Sequence, residues 1–414
     1  MLYNAYELQR SWLAGAGAWA SLGAELAVHP LNPMAALGFG PTIASAFDVF
    51  AHAAAPRGKP AFGIETVVAG GDEHAVTEAI VRHRPFGNLL RFTREGLPED
   101  APRLLIVAPM SGHFATLLRG TVARMVENAV VYITDWADAK QVPTEAGRFD
   151  LDDYIDYVID FLEFIGPGAH VMAVCQPSVP ALAATALMNA AEHPCRPPTL
   201  TMMGGPIDTR EAPTSVNDVA VRNPLSWFRN NVIATVPLMY PGAGRRVYPG
   251  FLQLAGFMSM NLQTHLMSHW QMYKHLVAGD GESADATKAF YEEYRSVADM
   301  TAEFYLQTIE HVFQRHSLPR GELTHRGAPI DLGAIRDTAL LAIEGERDDI
   351  SGLGQTRAAL KLATGLAERR KRYYLAETVG HYGIFNGSKW RNTIAPVVED
   401  WMKQHDRAAL KVVA

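Results

Sequence analysis

Cysteine is scarce in this chain, long apolar runs are missing and positive charge is not in excess; each absence removes a class of protein. Only Cys175 and Cys195 occur among 414 residues, too few for a disulfide scaffold. No uninterrupted apolar stretch of about 18 residues is present, so no membrane span is expected. The opening MLYNAYELQRSW has no basic segment leading into an apolar one. A secretory leader is therefore not expected, and a reducing cytoplasm that keeps both thiols free is. The formal net charge is −7, which disfavours nucleic acid and anionic membrane as partners, because both call for a basic face. No G-x-G-x-x-G follows a strand pattern and no Walker sequence occurs, so no nucleotide cofactor is expected, nor any other cofactor. His265 and His269 are four apart, with His275 beyond, but the glutamate of H-E-x-x-H is missing and no metal is expected there.

What is present is a globular composition, 48% hydrophobic and 20% charged, long enough for a large core. The first forty or so residues read as a helix mixing apolar and small residues. Leu2, Tyr6, Leu13, Leu22 and Leu26 fall near helical spacing, Trp12 and Trp19 add bulk, and Pro30 and Pro33 end the run. Glu65 to Ala69, Ala79 to His83 and Leu89 to Thr93 read as short strands, with Gly70-Gly71 and Pro85-Phe86-Gly87 as turns.

From Arg103 strands and helices alternate. LLIVA (104–108), a helix from Phe114 to Glu127 and VVYIT (130–134) come first. The amphipathic DLDDYIDYVIDFLEFI (150–165), with an acidic first turn, precedes HVMAV (170–174), a helix from Ser178 to Ala191 and TLTMMG (199–204). The rhythm stops at about 206, where the sequence turns Met- and aromatic-rich, helical in pattern and without strand runs of comparable strength. It resumes with TALLAIEG (338–345), a helix from Leu353 to Arg369, RYYLA (372–376) and a helix from Lys389 to His405. This predicts an α/β fold with a mainly parallel central sheet covered on both faces. The expected organisation is an N-terminal helical segment (1–60), a core in two parts (61–205 and 334–414), and a helical cap (206–333) over the carboxyl ends of the strands.

Cys175 stands where HVMAV gives way to Gln176-Pro177 and a helix. A nucleophile on a sharp strand-to-helix turn is lifted above the sheet, and the helix N-terminus favours its thiolate. G-x-S-x-G is absent: the five residues are Ala173-Val174-Cys175-Gln176-Pro177. The plain alternative is a small buried hydrophobe at a strand end. Chain order favours the nucleophile, because an α/β-hydrolase places its acid after a later strand and its histidine after the last. Here TALLAIEG runs into Glu346-Arg347-Asp348-Asp349, and RYYLA runs into a segment holding His381 between Gly380 and Tyr382-Gly383. Two backbone N–H groups are expected to form the oxyanion hole. One is that of Gln176; the other is that of Ser111, in the loop Pro109-Met110-Ser111-Gly112-His113, with Met110 as the near alternative. Cys195, after His193-Pro194, is expected to be a bystander.

Several longer segments carry a resemblance. TDWADAKQVP (134–143), GRFDLDDYIDYV (147–158), VCQPSVPALA (174–183), MMGGPIDTR (202–210), NPLSWF (223–228), RRVYPGFLQLAGFMSMN (245–261) and GHYGIFNGSKW (380–390) resemble the intracellular polyhydroxyalkanoate, or poly(3-hydroxybutyrate), depolymerases. The resemblance spans essentially the whole chain, and a more distant one reaches the polyhydroxyalkanoate synthases. It implies an α/β-hydrolase fold with a helical cap and a Cys–Asp–His triad falling on Cys175, Asp348 and His381, with Asp349 as a close second for the acid. It also implies cytoplasmic polyester granules as the partner; homo-oligomer formation is allowed for. Trp227, Phe228, Tyr240, Tyr248, Phe251, Phe257, Trp270 and Tyr273 of the cap then either line a tunnel for a polyester chain or form the cap's own core. The N-terminal helix either touches a granule or packs on the hydrolase core.

Overall fold

The computed structural model of the chain describes residues 2–33, 39–55, 58–260, 293 and 296–406. His265, His269, Trp270, Tyr273 and His275 lie outside the described residues. The strands are β1 (Thr66–Ala69), β2 (Asp72–Arg82), β3 (Gly87–Arg94), β4 (Arg103–Val107), β5 (Val130–Trp136), β6 (His170–Val174) and β7 (Thr199–Met203), then three short ones, β8 (Ala234–Thr235), β9 (Arg246–Tyr248) and β10 (Met300–Thr301). The hairpin β11 (Thr324–His325) and β12 (Ala328–Pro329) follows, then β13 (Ala339–Gly345) and β14 (Lys371–Ala376).

Nine strands form one sheet in the order β1-β2-β3-β5-β4-β6-β7-β13-β14. From β5 to β14 all pairs are parallel, while β1, β2 and β3 are antiparallel additions on the β5 side. Every residue of β6, β7 and β13 is buried, as strands covered on both faces require. Flanking helices include Leu151–Ile165, opened by a reciprocal cap between Asp150 and Asp153, and Ser178–Ala190, whose small residues pack close to the sheet. The order and the loop positions are those of an α/β-hydrolase, as expected from the sequence: the loops after β4, β6, β13 and β14 all leave from the same edge.

Four expectations about elements need correction. The second strand starts at Asp72 rather than Ala79, because β2 is largely exposed and shows no buried-strand run. The helix expected from Phe114 begins as a 3₁₀ turn over Ala115–Leu118 and becomes α-helical only over Arg119–Met125. The helix expected over 353–369 shrinks to Ala358–Leu362. A side chain at Gly365 would lie 2.1 Å from the Gly333 carbonyl, so the chain passes too close there to stay helical. Finally, the segment from 206 to 330 holds strands: β8, β9 and β10 make a small antiparallel sheet and β11–β12 a hairpin. Two or three residues per strand leave no periodic run to read.

The N-terminal residues form two packed helices, α1 (Leu2–Val28) and α2 (Gly40–Ala54). Gly17 and Gly23 permit the close approach: added Cβ atoms would sit 3.1 Å from Ala54 and from the Phe47 ring respectively. Among the described residues, α1 is rooted in the rest of the molecule through its start. Tyr3 donates to buried Asp299 at 2.5 Å, and the Tyr6 ring stacks on Phe251 at 3.8 Å.

Candidate active site

Cys175 follows β6 immediately and takes φ 66°, the left-handed region that a non-glycine residue occupies at a cost. The turn is over-determined by its neighbours. The Cys175 N–H donates to the Met203 carbonyl at 2.7 Å, and the Ser178 N–H donates back to the Cys175 carbonyl at 3.0 Å. Pro177 comes directly before the helix Ser178–Ala190. The room a second elbow glycine would make on the cysteine's own strand is made on the neighbouring one. A Cβ at Gly205 would lie 2.1 Å from Ser178 Oγ and 3.0 Å from the Cys175 carbonyl. MMGG at the end of β7 is the signal for this clearance, and reading the elbow alone passes over it.

His381 and Asp348 meet across the ends of β14 and β13. His381 Nδ1 lies 2.7 Å from Asp348 Oδ2, with both side chains withdrawn from solvent. The other carboxylate oxygen of Asp348 accepts the N–H groups of Ile350 and Ser351 at 2.9 and 2.8 Å. An acceptor fixed from behind in this way holds the imidazole's orientation. Burial pushes the His381 pKa down, but the Cys175 thiolate and the bond to Asp348 outweigh it and hold the imidazole well above its ordinary value. Asp349 is exposed and makes no such contact among the described residues. The two loops are laced together by the Arg347 N–H, which donates to the Val379 carbonyl at 2.9 Å.

Behind the acid loop, buried Glu344 of β13 accepts the N–H groups of Gly354, Thr356 and Arg357 and the Tyr373 hydroxyl. Thr356 Oγ1 in turn accepts the Gly205 N–H at 2.7 Å. A chain of hydrogen bonds thus runs from the acid strand to Gly205, which packs against the elbow. The loop after β4 is positioned from the other side. The Ala108 carbonyl, just ahead of Pro109, accepts both Trp136 Nε1 at 2.8 Å and the Tyr154 hydroxyl at 3.0 Å.

These loops border a cavity of about 410 Å³ whose lining includes Ser111, Cys175, Gln176 and His381 together with apolar residues from 206–330. The backbone N–H groups of Gln176 and Ser111 take no acceptor among the described residues. That of Met110 donates to the Gln176 side chain at 3.2 Å, and Met110 is not part of the lining. Gln253, also in the lining, packs against Gly112, and its Nε2 is buried with no partner among the described residues. Residues 206–330 contribute Val219, Phe228, Tyr248, Tyr305 and Ile309; Ile309 belongs to a π-helical stretch, Thr308–Gln314.

Of the aromatics expected either to line a tunnel or to fill the cap's core, Phe228 and Tyr248 line the cavity. Tyr240 and Phe251 instead pack around Tyr3 of α1. Trp227 is half exposed and outside the lining, and the side chain of Phe257 lies outside the described residues. Cys195 is buried in the main core, and burial pushes its thiol up, away from reactivity. No cluster of three or more metal-ligating side chains occurs among the described residues, and no helix there is long and apolar enough to cross a membrane.

Residues 204–406 match the family described as PHB de-polymerase C-terminus. No curated protein matches the chain. Solved structures that resemble it include the 2-hydroxy-6-oxo-6-phenylhexa-2,4-dienoate hydrolase of Rhodococcus sp. strain RHA1, at 11% identity, TM-score 0.44, over 80% of this chain and 99% of that one. Another is the monoacylglycerol lipase of Paleococcus ferrophilus, at 11% identity, TM-score 0.44, over 77% of this chain and 99% of that one. The family match agrees with the resemblance carried by the sequence motifs: residues 204–406 are similar to the PHB de-polymerase family.

Proposed function

We propose that the protein is an intracellular polyhydroxyalkanoate depolymerase that cleaves ester bonds of poly(3-hydroxybutyrate) through a cysteine thioester, acting in the cytoplasm on polyester granules. The observation that carries this reading is the buried His381–Asp348 pair beside Cys175 in the lining of a largely apolar cavity, in a chain whose residues 204–406 match this family. The high proton affinity of His381 favours an imidazolium–thiolate pair at rest. The thiolate attacks an ester carbonyl, and the N–H groups of Gln176 and Ser111 receive the oxyanion. When the tetrahedral adduct collapses, the C–O bond breaks and the departing alkoxide takes the proton of His381. A water molecule then attacks the thioester while His381 accepts its proton. The C–S bond breaks, and the thiolate is again beside an imidazolium. Asp348 keeps the imidazole oriented and stabilises its charge throughout. Gln253, with an unpartnered amide donor in the lining, is suited to hold a carbonyl of the polyester chain.

The test is release of 3-hydroxybutyrate or its oligomers from amorphous poly(3-hydroxybutyrate) particles by the purified full chain. Cys175→Ala is expected to lower that release by roughly 10⁴-fold or more while leaving the fold unchanged. Wild-type release by that variant would sink the thioester route. Growth of polymer from 3-hydroxybutyryl-CoA in place of release would assign the synthase direction instead.

A further inference from the structure

Helix α1 has two apolar faces, and the fold uses one. Tyr3, Gly17, Ala20 and Ala27 are buried, the last three along the face turned to α2. Leu8, Trp12, Gly15, Trp19, Leu22 and Leu26 recur at intervals of three or four and fall on a second face. The large residues of this ridge are bare: Trp12 is 75% exposed, Trp19 77%, Leu8 63% and Leu26 64%. At 1.5 Å per residue the ridge is about 27 Å long. No charged residue lies on it. The charges of α1 are Glu7, Arg10 and Glu25, and α1 and α2 together contain no lysine. Bare indoles on a long uncharged ridge are uncommon on a monomer's surface and mark a contact.

From this ridge we infer that α1 docks the enzyme on the surface of its polyester substrate; the inference rests on the depolymerase reading. Three observations favour an uncharged solid over other occupants. An anionic lipid surface is held through flanking basic residues, and the only basic group of α1, Arg10, sits beside Glu7 at 3.7 Å. The two indoles and three leucines expose on the order of 700 Å², short of the roughly 800 Å² per partner of a standard stable interface, so a second copy is a poorer fit than an extended surface. The hairpin is also continuous with the site. Tyr6 stacks on Phe251, and Gln253 and Gly256 of the same helix, Gly250–Met260, line the cavity. A ridge lying on polymer holds the cavity close to the chains it is to cleave.

The test uses the full chain carrying Trp12→Gln and Trp19→Gln together, with Val68→Gln, exposed on the edge strand β1, as the control. The expected result is at least a tenfold loss of co-sedimentation with amorphous poly(3-hydroxybutyrate) particles and a matching loss of hydroxybutyrate release at low particle concentration. Turnover of soluble p-nitrophenyl butyrate and the sedimentation coefficient stay unchanged. Undiminished particle binding overturns the inference. So does a wild-type dimer that the double variant splits while still binding particles, or binding to phosphatidylglycerol vesicles that exceeds binding to polymer. If the double variant loses soluble-ester turnover as well, Leu22→Gln with Leu26→Gln, farther from the rooted end, repeats the measurement, and the same criteria apply. Failure of the underlying reading looks different: the wild type would then bind particles and release nothing.

Discussion

Around Cys175, carboxylates are buried and every one is answered; along α1, aromatic rings are bare and unanswered. Asp348 and Glu344 are withdrawn from solvent and accept two and three backbone N–H groups, in addition to His381 and the Tyr373 hydroxyl. Burying a polar group is costly unless its bonds are made, and the loops are built to make them. The ridge of α1 runs the other way, with two tryptophans kept in water while Tyr3 and Tyr6 root the start of the helix. Rigid polar wiring suits a site that must hold a proton in one place. A bare apolar ridge on a sparsely rooted hairpin suits contact with a surface that has no fixed shape. The two regions should therefore fail independently when mutated.

The largest effect that separates them belongs to the acid. Asp348→Asn is expected to lower turnover of both soluble and polymeric esters by roughly 10³–10⁴-fold, because the amide holds the wrong imidazole tautomer. Asp349→Asn, at an exposed position, should change either by less than about twofold. Steady-state rates on the two substrates check both, and equal losses in the two variants would remove the distinction that the geometry draws between neighbouring aspartates. Particle binding should survive in both.

A smaller effect is expected at the cavity wall. Gln253→Leu removes an unpartnered buried donor and leaves the shape nearly unchanged. If the amide meets a polyester carbonyl, KM for a 3-hydroxybutyrate trimer should rise about tenfold, the worth of one hydrogen bond, while kcat changes little. A short ester with no second carbonyl should be nearly indifferent. A variant equally impaired on both would place the role of Gln253 in packing against Gly112.

Much of this site is legible in the sequence alone. The rhythm of buried strand runs places Cys175, the acid segment and His381 in the order the fold requires, since apolar periodicity reports burial directly. What the sequence hides is partnership across the sheet. Thr134 and Trp136 sit in a motif that carries the family resemblance with no evident physical role. Their purpose shows only when Thr134 Oγ1 is found accepting the Ala108 N–H and Trp136 Nε1 donating to the Ala108 carbonyl, fixing the loop that holds Ser111. Glu344 reads as one polar residue in a buried run; its partners lie 10 to 29 residues away. The small strands β8 to β12 escape a sequence reading because two or three residues cannot show a period. The apolar residues of the α1 ridge are in plain view in the sequence, but which face the fold consumes depends on where α2 packs.

The smallest expected effect tests whether the root of α1 is as separate from the site as this contrast holds. Tyr3 donates to Asp299, whose other oxygen accepts the Gly250 N–H at 2.9 Å. Burial, and after it the nearby charge of Asp138, raise the Asp299 carboxyl to about 6. An acid whose folded pKa lies above its unfolded one holds a proton that the unfolded chain has released, so stability should fall as pH rises from about 4 through 6 and level off above. Tyr3→Phe removes a hydrogen bond that lowers that pKa, so the falling window should extend to higher pH, with a loss of about 1 kcal/mol at neutrality. Hydrogen exchange read by residue is the measurement. Amides of α1 should exchange faster in the variant and faster at pH 7 than at pH 5, after correction for intrinsic rates, while those of β6 and the helix Ser178–Ala190 stay unchanged. Soluble-ester turnover should move by less than twofold. Loss of protection in β6 with that of α1 would show one cooperative unit, and the hairpin would then be part of the core that carries the site.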